Sequence, residues 1–133
     1  MKYIFVIAEI FDGLIQPVTL ELAAAAGKIL ELEKRSKIRI IILSDDPLPF
    51  AKKMAEQTGY DVTGFKISDF KGYDSDVYKK SLFKLIKKIQ PSHILAAHTS
   101  QGRDFAPGLA IKLNAASIAG INGIRLHKEG LLY

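Results

Sequence analysis

His93-Ile94-Leu95-Ala96-Ala97-His98 is a short apolar run, and Thr99-Ser100-Gln101-Gly102-Arg103-Asp104 follows it as a polar loop. Beyond the loop, Ala106, Leu109, Ala110 and Leu113 recur at i, i+3, i+4 and i+7, the spacing of an amphipathic helix. A buried strand therefore feeds a helix through a segment that holds hydroxyls, a glycine and an Arg-Asp pair. Free backbone N–H groups and the positive end of a helix dipole favour anions at such a junction. Asp104 reads as the cap of the helix. This loop is the first place to look for a site.

Working outward, residues 3–8, 38–43 and 62–67 are three more short runs rich in Ile and Val. The first two, like 93–97, are almost continuously apolar, as expected of strands covered by helices on both faces. Val62-Thr63-Gly64-Phe65-Lys66-Ile67 alternates instead and reads as an edge strand. Helical patterns lie between the runs. The first follows Pro17, a good helix start, and buries Leu22, Ala25, Ala26, Ile29 and Leu30. The second runs from about Leu48 to Thr58, with Asp45-Asp46 as its cap and Gly59 as its stop. The third begins after Asp74-Ser75-Asp76 and ends before Pro91.

Past Asn114 the pattern changes. Ala116-Ser117-Ile118 and residues 120–127 read as short strands, and Lys128-Glu129-Gly130 as a turn into Leu131-Leu132-Tyr133. A sequence that stops one strand-start into a hairpin reads as a fragment or an abbreviated relative of something longer. Strand–helix alternation implies an α/β, three-layer, Rossmann-like fold: a mainly parallel open sheet with helices on both faces, one domain over residues 1–133. Ligands bind such sheets beyond the carboxyl ends of the strands, where the strand order reverses. With the first strand central, loop 9–16 faces loop 98–104 across a crevice.

The 133 residues suit one domain, and 48% hydrophobic with 25% charged residues is an ordinary soluble balance. No run of apolar residues is long enough for a membrane span. The opening apolar stretch stops at Glu9, too short for a signal peptide, so cytoplasm is the expected location. With no cysteine, disulfides, thiolate metal sites and cysteine nucleophiles are excluded. The net charge of +5 raises the question of nucleic acid. Lys79, Lys80, Lys84, Lys87 and Lys88 share one helix with an apolar stripe of Tyr78, Leu82, Leu85, Ile86 and Ile89, which places the lysines on its solvated side. No aromatic residues interleave them to stack bases, and no nucleic-acid partner is expected.

The residues offer little catalytic chemistry. His98 and Ser100 are close in sequence but lack an orienting carboxylate, and His98 reads as a histidine at a strand end. His93, His98 and His127 lack metal-ligand spacing. Neither a Walker-type nor a G-x-G-x-x-G phosphate loop follows any strand, and Glu9 to Gly13, with one glycine and two acids, is a poor phosphate cradle.

Val6-Ile7-Ala8-Glu9, followed by Pro17-Val18-Thr19-Leu20-Glu21-Leu22 opening an alanine-rich helix, resembles the start of the electron transfer flavoprotein alpha subunit. The resemblance strengthens at His93-Ile94-Leu95-Ala96, Thr99, Gly102-Arg103-Asp104, Pro107 and Leu109-Ala110. It continues through Leu113-Asn114-Ala115 and Ser117-Ile118, so it covers essentially the whole chain in order. The resemblance implies an amino-terminal domain related to adenine-nucleotide-binding and adenine-nucleotide-hydrolase-like folds. It also implies pairing with a beta-type subunit, or a self-dimer, and FAD-mediated electron transfer from dehydrogenases such as the acyl-CoA enzymes towards the respiratory chain. In the family the flavin is held chiefly by a separate carboxy-terminal domain, which this sequence does not show, so the expectation is that this chain alone holds no FAD tightly. By the same resemblance Thr99, Gly102, Arg103 and Asp104 are the candidate cofactor-binding positions. Gly108 stands where the family usually has arginine, removing a fixed cation near the loop, and Ala119-Gly120 stands where many members have Ser-Asp.

No catalytic residue is expected, because the cofactor performs electron transfer while the protein supplies position and electrostatics. The rival reading is a stand-alone adenine-nucleotide-binding module that uses residues 8–11 and 99–104 directly. The missing glycine-rich phosphate loop counts against it.

Overall fold

The apolar runs form a sheet with both faces buried. The computed structural model describes residues 2–113, 116–118 and 123–125. In chain order its elements are β1 (Lys2–Ile7), β2 (Ile10–Phe11), β3 (Leu14–Ile15), α1 (Val18–Leu32), β4 (Ser36–Ser44) and α2 (Leu48–Thr58). β5 (Asp61–Lys66), α3 (Ser75–Ile89), β6 (His93–Leu95), α4 (Ser100–Lys112), β7 (Ala116–Ile118) and β8 (Gly123–Arg125) follow. The main sheet runs β5-β4-β1-β6-β8-β7. β5, β4, β1 and β6 are mutually parallel, while β8 is antiparallel to β6 and to β7.

Successive strand residues point to opposite faces, so a continuous apolar strand supplies two cores. Phe5 and Ile7 of β1, Ile41 and Leu43 of β4, and Ile94 of β6 pack beneath α3 and α4 with Tyr78, Leu82, Phe105 and Leu109. Ile4 and Val6, Ile38, Ile40 and Ile42, and Leu95 take the other face, against Leu22 and Ala26 of α1 and Met54 of α2. The alternating β5 lies at the sheet edge, where half-buried Phe65 touches the α3–α4 core and Lys66 is exposed.

The chain leaves β1 through α1 to β4 on one side and returns through α3 to β6 on the other. The strand order therefore reverses at β1, and the carboxyl ends of β1 and β6 flank the reversal. This is the junction expected between the first and fourth parallel strands.

Four local details differ from the sequence reading. α4 starts at Ser100, capped by Thr99 rather than Asp104, because the Thr99 hydroxyl accepts the Gly102 N–H at 3.3 Å. Pro107 consequently lies in the helix interior instead of its first turn. α1 buries Thr19, Leu22, Ala23 and Ala26, one i, i+3, i+4, i+7 face, and this phase turns Ala25 outward. Asp45 and Asp46 are exposed and do not cap α2, which starts from Pro47; Ser44 instead ties them, its Oγ donating to Asp45 and accepting the Asp46 N–H. The loop after β1 also contains an unexpected hairpin: β2 and β3 pair across Asp12-Gly13, whose φ values of 52° and 74° are those a tight two-residue turn requires. Asn114, Ala119-Gly120, His127 and the expected turn at Lys128-Glu129-Gly130 lie outside the described residues.

Candidate functional site

Loop 9–16 is fastened at its base. The Glu9 N–H donates to the buried Thr19 hydroxyl at 3.0 Å, and the Gln16 N–H donates to the Glu9 carbonyl at 2.8 Å. Gln16 Nε2 spans the hairpin, donating to the carbonyls of Phe11 and Leu14. The polar Thr19 on the apolar face of α1 thus has a local purpose: it holds the exit of β1.

Across the strand-order reversal, α4 sits against the end of β6. Gly102 makes this possible, since a Cβ there would lie 1.6 Å from the Ala97 carbonyl oxygen. Two side-chain bonds then join the two loops: the Thr99 hydroxyl donates to the Glu9 carboxylate, and Gln101 Nε2 donates to the Ile10 carbonyl at 3.1 Å. Residues 70–73 supply a third wall. The Tyr73 hydroxyl lies 2.8 Å from Asp104 Oδ2 and 3.2 Å from the Gln101 carbonyl, sharing its proton between them.

These walls enclose an open crevice of about 930 Å³ bordered by Glu9, Phe11, Asp12, Phe70, Tyr78 and Thr99, among others. Tyr73 and Tyr78 meet edge to face at 4.8 Å within it. Burial, and next the hydrogen bond to the Asp104 carboxylate, hold the Tyr73 phenol well above the ordinary tyrosine range. Burial, and next the Glu9 charge, push the Tyr78 phenol up to about 12. Both are neutral donors at physiological pH.

The four candidate positions separate. Thr99 stands at the centre, bridging Glu9 and the first turn of α4. Gly102 is buried beneath that turn against Ala97. Arg103 is exposed, with its Nε 3.4 Å from the Thr99 carbonyl, and Asp104 is exposed and holds Tyr73. Arg103 and Asp104 border a shallower depression of about 630 Å³ beside the main crevice. Lys79 covers Gly108, a Cβ there lying 3.4 Å from its Nζ, and that Nζ is 3.6 Å from the Asp76 carboxylate. Glu9 and Gln101 lie in the two loops that the sequence places across the crevice, Tyr78 reads only as part of the apolar stripe of its helix, and Tyr73 is not singled out. The Asp12-Gly13 dipeptide was a legible hairpin signal, whereas the two tyrosines reach the crevice only through tertiary packing.

Among the described residues no cluster of three or more His, Asp or Glu side chains could hold a metal, and no helix is long and apolar enough to cross a membrane. A family model for the electron transfer flavoprotein domain matches residues 4–132, nearly the whole chain. The chain belongs to the electron transfer flavoprotein family. Its relatives include the electron transfer flavoprotein subunit alpha of Bacillus subtilis, 25% identical over 89% of this chain and 35% of that protein. The subunit alpha of Megasphaera elsdenii is 27% identical over the same shares, and Protein FixB of Clostridium saccharobutylicum is 27% identical over 96% of this chain and 38% of that protein. The chain thus spans little more than a third of the length of these relatives. The alpha-subunit resemblance read from the strand–loop–helix junction holds at family level.

Proposed function

We propose that these residues form one domain equivalent to the amino-terminal domain of an electron transfer flavoprotein alpha subunit. It serves as a structural and docking domain that pairs with a beta-type subunit and supports FAD-mediated electron transfer from dehydrogenases towards the respiratory chain. The observation that carries this reading is the family match across residues 4–132, with relatives named subunit alpha and FixB. The domain is an electron-carrier component rather than a catalyst, and it works in the cytoplasm. The flavin is gripped outside these residues.

The crevice supports docking over nucleotide binding. At the start of α4, Thr99 already takes the Gly102 N–H, and the Arg103 N–H bonds the Thr99 carbonyl at 2.8 Å, leaving fewer donors for a phosphate. Glu9 and Asp12 add negative charge on the facing loop.

Light scattering after size-exclusion of the chain mixed with the beta-type subunit of the same organism tests this reading. A one-to-one complex is the expected result; two separate species, or a self-dimer that ignores the beta-type subunit, would refute it. Flavin titration of the chain alone should show no stoichiometric retention of FAD.

A further inference from the structure

The crevice carries a second chemistry, independent of subunit docking. Tyr78 is 2% exposed, borders the crevice, and leaves its hydroxyl without a hydrogen-bond partner among the described residues. Its ring is buried while the hydroxyl opens to the crevice, where it is an unused donor and acceptor. Gln101, also on the lining, is oriented by its Nε2 bond to the Ile10 carbonyl, which leaves Oε1 buried as an unpartnered acceptor. Of the Glu9 carboxylate, Thr99 engages Oε1, while Oε2 has no hydrogen bond among the described residues.

The surrounding groups define what would satisfy these acceptors. Phe11, Phe70, Tyr73 and Tyr78 supply flat apolar walls. Glu9 and Asp12 are the carboxylates of the lining and Lys71 its basic residue, while Arg103 borders the neighbouring depression instead. Aromatic faces attract cations through their quadrupoles, and a carboxylate binds an N–H cation more strongly than a neutral donor.

We propose that the crevice between loop 9–16 and the start of α4 binds a planar aromatic cation, an amidinium or protonated amine without phosphate, through Glu9, Tyr78 and Gln101. The cationic head meets the free Glu9 oxygen and the Gln101 oxygen, the Tyr78 hydroxyl accepts a further N–H, and the ring lies among the aromatic walls. The volume of about 930 Å³ leaves room for a ligand larger than a single ring.

Benzamidine and benzoate share a planar ring and differ in the sign of their charged group, so the pair isolates that preference. Calorimetric titration of the 133-residue chain with each, and amide chemical-shift mapping by NMR, test the proposal. Benzamidine should bind at least about tenfold more tightly than benzoate, with shifts centred on residues 9–13 and 99–101. Glu9→Gln keeps an acceptor for Thr99 and removes the charge; it should weaken benzamidine about tenfold, and Tyr78→Phe should weaken it severalfold at an unchanged melting temperature. Should Glu9→Gln unfold, Tyr78→Phe and the comparison of benzamidine with benzoate on the unaltered chain carry the test. Benzoate binding as tightly as benzamidine, no binding of either compound, or an affinity unchanged in these variants would overturn the assignment. Failure of beta-subunit pairing would leave it standing.

Discussion

A methyl group at position 102 would sit 1.6 Å from the carbonyl oxygen of Ala97, well inside van der Waals contact. The start of α4 lies directly on the end of the β6 segment because Gly102 has no side chain. Gly102→Ala is favourable for helix propensity by about 1 kcal/mol, so propensity and contact predict opposite signs. The contact should win, because the neighbour is backbone rather than a flexible side chain. Urea denaturation should show a loss of roughly 1–3 kcal/mol or more. A midpoint that rises would mean the helix start sits farther from Ala97.

Thr99 joins two functions in one hydroxyl, capping α4 through Gly102 and donating to Glu9. Thr99→Val keeps the shape and removes both bonds, and should cost about 1–2 kcal/mol. Thr99→Ser restores the hydroxyl and should recover most of that loss. Equal stability of the Val and Ser variants would show that the hydroxyl holds neither partner.

The Tyr78 phenol titrates near 10 in the unfolded chain and about 12 in the fold. Its folded value is raised, so the neutral phenol stabilises the fold fully below pH 10, and that contribution disappears as pH rises through 12. Stability should therefore fall over that alkaline window. Tyr78→Phe cannot ionise and should show a fall smaller by about 2–3 kcal/mol, after the common loss from lysine deprotonation is subtracted. Parallel curves for the two proteins would place Tyr78 in water.

The strands were legible in the sequence because the short runs of β1 and β4 are rich in β-branched residues, and as strands they serve two buried faces at once. α2 was legible to its last residue because Gly59 adopts the left-handed conformation, with a φ of 73°, that stops a helix. The start of α4 was not. Gly102 and Pro107 both look like interruptions, and only the tertiary approach to Ala97 explains a glycine one turn inside a helix. The facing loops across the crevice followed from topology alone, while Tyr73 and Glu9 join the site through pairings 31 and 90 residues apart that no local pattern encodes, and Tyr78 joins it as a lining side chain of α3.

Adenine nucleotides discriminate the docking domain from a nucleotide-binding module. A phosphate at the start of α4 would compete with Thr99 for the Gly102 N–H and would face the Glu9 carboxylate. Arg103 is exposed, with its Nε directed to the Thr99 carbonyl, and it borders the shallow depression rather than the crevice. Lys79 Nζ, the cation over Gly108, lies 3.6 Å from the Asp76 carboxylate. AMP and ATP should consequently bind no tighter than about 1 mM, roughly 4 kcal/mol of binding free energy. Calorimetric titration of the chain and of Arg103→Ala checks this. Micromolar AMP binding that vanishes in Arg103→Ala would show a phosphate held at this helix start, and the chain would then be a nucleotide-binding module.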